Sequence, residues 1–302
     1  MIDIIIHCTV ALLLPPLLLG VITKTKAAFA GRIGAPLLQS YYDIFKLFRK
    51  GSVFSTTTTW VFRAGPLVTL AATVTAALLV PLGRHNAPLS FDGDMVLFAY
   101  LFGLGRFFTT AAALDTGSSF EGMGAAREVT FSCLAEPTLF IALITLARMS
   151  GSLRLSTILT YPSPGLWLAT GASMLLLVAA LFIILLAENC RIPFDDPTTH
   201  LELTMIHEVM VLDHSGPAFG IILYSAALKL LVLGAVFVNV ALPVSTGDSL
   251  EDWGLFVVAM LALAVGIGVV ESVMARLRLL RIPQLLVGAT ILSAFGMLLV
   301  LR

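Results

Sequence analysis

Long apolar runs separated by short polar stretches set the pattern of this chain. A helix needs about 20 apolar residues to cross a hydrocarbon core. Eight such runs stand at roughly 2–22, 64–82, 95–115, 129–148, 165–187, 217–240, 253–275 and 282–301. They predict an all-α integral membrane protein, with residues 1–302 forming a single polytopic membrane domain. No basic stretch precedes the first run and no A-x-A site follows it, so 2–22 reads as a retained span rather than a cleaved signal.

Two intervals break the pattern. In 36–50, Leu37, Leu38, Tyr41, Ile44, Phe45 and Phe48 recur at helical spacing, with Asp43, Lys46, Arg49 and Lys50 off the stripe. This predicts an amphipathic helix lying in the membrane interface and ended by Gly51, serving either as a surface anchor or as a docking element. The interval 188–217 holds Glu188, Asp195, Asp196, Glu202, Glu208 and Asp213, six of the eighteen acids. Asp196-Pro197 is a helix start and Ser215-Gly216-Pro217 a stop, which predicts a helix of about four turns from Pro197 towards Asp213. Its interleaved residues, Met205 and Val209 among them, call for a partner surface, either the membrane helices or a docked protein. His200, His207 and His214 recur every seven residues, so helical neighbours stand about 10 Å apart, too far for one metal ion.

Composition sharpens the class. Hydrophobic residues make up 58% and charged residues 12%, against about 25% charge in an average soluble domain. An ordinary soluble globule, a disordered chain and a nucleic-acid binder are excluded, the last also by a net charge of zero. Cys8, Cys133 and Cys190 stand far apart with no CxxC pair, so no zinc knuckle, iron–sulfur cluster or nickel site is expected within the chain. Twelve of the eighteen cations fall in the loops after the odd-numbered runs and four on the other side, leaving Arg106 and Lys229 inside spans. The positive-inside rule places the odd loops in the cytoplasm and both termini outside, and the expected location is the cell's inner membrane.

Ionisable groups within spans are costly and mark functional candidates. Here they are Arg106, Glu136, Lys229 and Glu271, with Asp115 and Glu188 at span ends. Glu136 precedes Pro137, whose ring frees a backbone carbonyl beside the acid. The groups read either as structural ion pairs, Arg106 with Glu136 or Lys229 with Glu271, or as stations of a proton path.

Several of these residues sit in recognisable strings. Ala187-Glu188, Arg191-Ile192-Pro193-Phe194-Asp195 and Asp213-His214-Ser215-Gly216 resemble the signature of the respiratory complex I subunit 1 family. Arg106-Phe107-Phe108, Leu114 to Ser118, Gly124 to Glu128, Ala135-Glu136-Pro137 and Met274 to Arg278 resemble its hydrogenase branch, the formate hydrogenlyase subunit 4 type. Lys229 and Tyr42 to Phe48 fit the same branch, while His214 stands where complex I has tyrosine and Ser132 where it has glutamate.

The resemblance implies a non-catalytic membrane subunit of an energy-converting complex. A hydrogenase-like large subunit and an iron–sulfur subunit would dock on its cytoplasmic loops, and antiporter-like membrane subunits would sit beside it. Iron–sulfur clusters and a nickel–iron site would belong to the partners, with quinone possible. The proton pathway would use Asp115, Glu136, Glu188, Asp195, Asp196, Glu202, Glu208, Asp213, Lys229 and Glu271. Docking would use Arg32, Asp43, Lys46, Arg127, Arg191, Met205, Val209, Arg276 and Arg278. Two other functions compete: the quinone-cavity subunit of a complex I-like NADH:quinone oxidoreductase, and a stand-alone secondary transporter. The second would show related halves with paired broken helices, and the sequence shows no clear internal repeat.

Overall fold

The computed structural model describes residues 2–195 and 205–301. Among these residues ten helices follow one another: α1 (Ile2–Phe29), α2 (Gln39–Phe48), α3 (Trp60–Leu79), α4 (Asp94–Asp115), α5 (Ser119–Ser150), α6 (Leu155–Thr160), α7 (Pro164–Glu188), α8 (Gly216–Ala241), α9 (Ser249–Val273) and α10 (Ile282–Leu301). Among the described residues there is no strand. Eight of the helices among the described residues are long and apolar enough to cross a membrane: α1, α3, α4, α5, α7, α8, α9, and α10 with the 3₁₀ turn before it. They match the eight apolar runs one for one.

Helix α8 is the centre. Buried residues make up 61% of its central window, against 22–44% in the other seven spans. Helices α1, α2, α3, α7 and α9 pack on it, while α10 closes against α5 and α7. Small residues permit the closest approaches, as is usual between membrane helices. A Cβ on Gly65 of α3 would meet the Ala112 side chain of α4 at 3.0 Å.

Helix α1 contains Pro15 and Pro16 yet continues through them. A proline leaves the carbonyl four residues earlier without its helical donor. For Pro16 that carbonyl belongs to Leu12, and it accepts the Tyr224 hydroxyl of α8 at 3.1 Å. The next carbonyl, of Leu13, accepts the Tyr41 hydroxyl of α2. Tyr224 thus supplies the donor that Pro16 lacks, and Tyr41 adds a second link to the same turn.

The amphipathic stripe at 36–50 forms α2, which packs against α8 and α1. The four-turn helix expected from Pro197 to Asp213 needs correction. Residues 197–204 lie outside the described residues, and over 205–213 the only helical element is a four-residue 3₁₀ turn, Glu208–Val211.

Candidate functional site

One end of the bundle, where α1, α4, α7 and α9 finish and α3, α5, α8 and α10 begin, carries most of the cations and is called the basic end below. The site grows from the start of α5. Gly124 lies so close to the 205–213 segment that a Cβ there would overlap Val209 Cγ1 and meet the Ile206 carbonyl at 3.0 Å. Arg127, three residues on, donates to the Met205 carbonyl at 2.9 Å. The carboxylate of buried Glu121 accepts the Asp213 backbone N–H at 3.1 Å. The Gly-Ala-Ala-Arg string is therefore the seat on which the loop lies. Met205, Ile206, Val209, Met210 and Val211 are buried there, each apolar side chain worth about 1.5–3 kcal/mol when fully buried. His214 follows, stacked on Phe62 of α3 with ring centroids 3.9 Å apart. Burial lowers its pKa from 6.5 to about 4, so the ring is neutral.

Beneath the loop lie three groups of charges. In the first, Glu188 at the end of α7 accepts both Arg106 of α4, at 2.7 and 2.8 Å, and Lys229 of α8, at 2.7 Å. Arg106 also reaches Glu128 at 3.5 Å and pairs with Glu136. In the second, the Glu271 side chain, 0% exposed, pairs with Lys26 of α1 at 2.9 Å and Arg191 at 3.4 Å. In the third, Asp195 accepts Arg276 at 2.8 Å and the backbone N–H groups of Ile206 and His207 at 3.0 and 3.3 Å. Buried charges persist where they are paired and hydrogen-bonded, and these acids have charged or backbone donors from two or three elements each.

A cavity of about 310 Å³ joins the groups. Its lining includes Lys26, Glu188, Cys190, Asp195, His207, Glu208, Lys229 and Glu271. Polar and apolar walls converge here, as in ligand and ion sites generally. Cys190 sits just past α7 with φ 50°, a left-handed conformation rare outside glycine. Burial raises its thiol pKa and lowers that of His207.

The predicted residues distribute unevenly. Glu188, Lys229, Asp195, Glu271 and Glu208 line the cavity. Glu136 lies to one side, its side chain 45% exposed. Asp115 accepts the Thr59 backbone N–H at 2.6 Å and the Thr59 hydroxyl at 3.0 Å, tying the end of α4 to the start of α3. Asp213 is exposed, and Asp196 and Glu202 lie outside the described residues. The expected alternative pair of Lys229 with Glu271 is not formed, since each has other partners. Of the docking candidates, Arg32, Asp43, Lys46 and Arg278 are exposed. Met205 and Val209, 3% and 0% exposed, are not, because α5 already covers them. Arg127, Arg191 and Arg276 hold the loop and its neighbours within the chain. Sequence reasoning leaves out Glu128 and Cys190, which no local spacing links to His207.

An eight-span helical membrane protein with a paired, polar interior beneath one loop-bearing end is the class that fold and site define. The whole chain, residues 2–302, matches the family model described as NADH dehydrogenase, and the protein belongs to that complex I subunit 1-like family. It is 34% identical to formate hydrogenlyase subunit 4 of Escherichia coli, over 93% of this chain and 92% of that one. It is 32% identical to hydrogenase-4 component C of the same organism, over 81% and 76%. A subunit of the NADH-quinone oxidoreductase of Rubrobacter xylanophilus is more distant, at 28% over 66% of this chain and 60% of its own length. The fold is shared with a chain from the membrane-bound sulfane sulfur reductase, an archaeal respiratory membrane complex, with a TM-score of 0.84, 22% identity and 98% of both chains covered. The relatives are membrane subunits of hydrogenase-type and complex I-like respiratory complexes, and this chain is a multi-pass membrane protein of the same kind.

Proposed function

We propose that the chain is the non-catalytic anchor and coupling subunit of a formate hydrogenlyase-like, energy-converting complex. The observation that carries this reading is the set of acids doubly held by cations, Glu188 and Glu271, on one cavity at the basic end. Each can exchange partners without being left alone, which suits a proton relay in a low-dielectric interior. The near end-to-end likeness to formate hydrogenlyase subunit 4 supports the hydrogenase assignment. The basic end would face the cytoplasm, with both termini outside, in the cell's inner membrane. Iron–sulfur and nickel–iron centres would sit in a hydrogenase-like large subunit and an iron–sulfur subunit docked there. The docking surface would use Arg32, Asp43, Lys46 and Arg278 with exposed Ile33, Val53 and Leu280, which are 90%, 76% and 87% exposed. Glu136, half exposed at membrane depth, would meet an antiporter-like membrane neighbour, since lipid is a poor surrounding for a charge.

The test is Glu136→Gln in the intact complex, with subunit content and redox-driven proton movement measured in the same membranes. A relay predicts normal assembly, lower proton movement and surviving turnover at the partner's metal site. Loss of assembly with normal coupling per remaining complex would remove Glu136 from the path.

The 310 Å³ cavity favours one second reading, a quinone-cavity subunit of a complex I-like oxidoreductase. The purified complex separates the two. Nickel in the partners supports the first, and bound quinone with NADH oxidation supports the second.

A further inference from the structure

Glu128 on α5, Cys190 in the turn after α7 and His207 before the 3₁₀ turn each present one donor atom to a common point, and these atoms lie within 4.8 Å of one another. The three residues come from three separate segments. We propose that they form a zinc site that pins the 205–213 loop to the bundle.

Three features support it. The first is the donor set. Thiolate, imidazole and carboxylate are the ligand types zinc takes, at about 2.0–2.3 Å, which puts tetrahedral ligand atoms roughly 3.3–3.8 Å apart. The observed atoms, within 4.8 Å of one another, are at most about 1 Å wider than that. The second is satisfaction. His207 Nδ1 is buried and has no hydrogen-bond partner among the described residues. Buried polar atoms are normally paired, and a metal bond, or a ring flip that brings this nitrogen to the metal, would engage the imidazole. The third is charge. Glu128 and its neighbours Glu136 and Glu188 share two cations, Arg106 and Lys229, so this ion-pair group carries one formal negative charge with the thiol neutral. A divalent ion that displaces the Cys190 proton to solvent brings this group to neutrality. Cys190 and His207 both line the 310 Å³ cavity, which leaves the fourth position open to water. The site does not depend on which complex the chain joins.

The full chain, purified in detergent without chelator, is the material for the test. Wild-type protein is expected to hold close to one zinc per chain by elemental analysis. Cys190→Ser, His207→Gln and Glu128→Gln should each weaken zinc binding at least tenfold, whereas Cys8→Ser and Cys133→Ser should not. Cobalt(II) should give a thiolate-to-metal charge-transfer band that Cys190→Ser abolishes. A measurement needing no variant accompanies these: zinc should protect Cys190, but not exposed Cys8 or Cys133, from alkylation. The proposal is overturned if wild-type chain takes up neither zinc nor cobalt, if the band persists in Cys190→Ser, or if zinc leaves Cys190 alkylation unchanged.

Discussion

Asp94 at one end of the bundle and Glu188 and Glu271 at the other are buried by different means. At the end opposite the basic one, Asp94 is fully buried and accepts the Leu155 and Phe91 backbone N–H groups at 2.6 and 3.3 Å. Nearby, Arg84 donates to the Thr160 and Pro162 carbonyls at 2.6 and 2.8 Å, and Asn239 to that of Pro81 at 2.8 Å. Side chains there satisfy loop backbone, and the ion pair between Arg154 and Asp92 lies at the exposed rim. At the basic end, Glu188 and Glu271 are instead held mainly by other side chains. A backbone-bound acid is an acceptor whose charge is secondary. An acid between two cations is needed for its charge, and its partners have alternatives. The first arrangement fixes structure, and the second can be switched.

The sharpest way to break this contrast is to remove charge but keep shape. Glu188→Gln should leave Lys229 without its anion and Arg106 with only Glu128 and Glu136, at a cost of about 3–5 kcal/mol, read as lost subunit in membranes and a lower melting temperature in detergent. Normal yield would mean that Glu128 and Glu136 neutralise Arg106 alone. Next in size is Gly124→Val, which drives a side chain into Val209. An overpacked contact costs about 1–3 kcal/mol, here confined to the loop. Limited proteolysis should cut near 205–213 while the helices stay intact, and an unchanged cleavage pattern would contradict the seat. Asp94→Asn should cost less, about 1–3 kcal/mol, because the amide oxygen still accepts the Leu155 N–H and only the Phe91 N–H loses its acceptor. A loss as large as that of Glu188→Gln would erase the difference between the ends. The smallest effect is that of His214. Its native pKa of about 4 lies below 6.5, so the unfolded chain takes up the proton first and stability falls as pH drops from about 6.5 towards 4. Above 6.5 it contributes no pH dependence. His214→Phe should keep the stack on Phe62 and flatten that acid slope in a melting series, and an identical slope would assign it to other groups.

The spans are legible in the sequence because each is a local run of apolar residues, and local composition decides whether a helix enters a membrane. The interfacial stripe at 36–50 is legible for the same reason. The loop is not. Its apolar residues call for a covering surface, but the sequence does not tell a docked protein from the membrane helices, since it does not reveal that Gly124, eighty-five residues earlier in the chain, makes room for Val209. Pairings are hidden likewise. Lys229 could reach either Glu188 or Glu271 by depth, and only the packing of α8 against α7 decides for Glu188. Glu128 has no spacing to announce it, since its companions come from other helices' ends.

The pairing of Glu271 with Lys26 also sets an order of events during synthesis. The lysine leaves the ribosome with the first span and the acid with the seventh, so at about 5–20 residues per second their meeting is delayed by tens of seconds. Throughout that interval Lys26 and then Arg191 remain at the membrane surface without this anion, and α1 lacks its contact with α9. A chain that stops before the seventh span therefore lacks the anion that Lys26 and Arg191 share in the finished subunit.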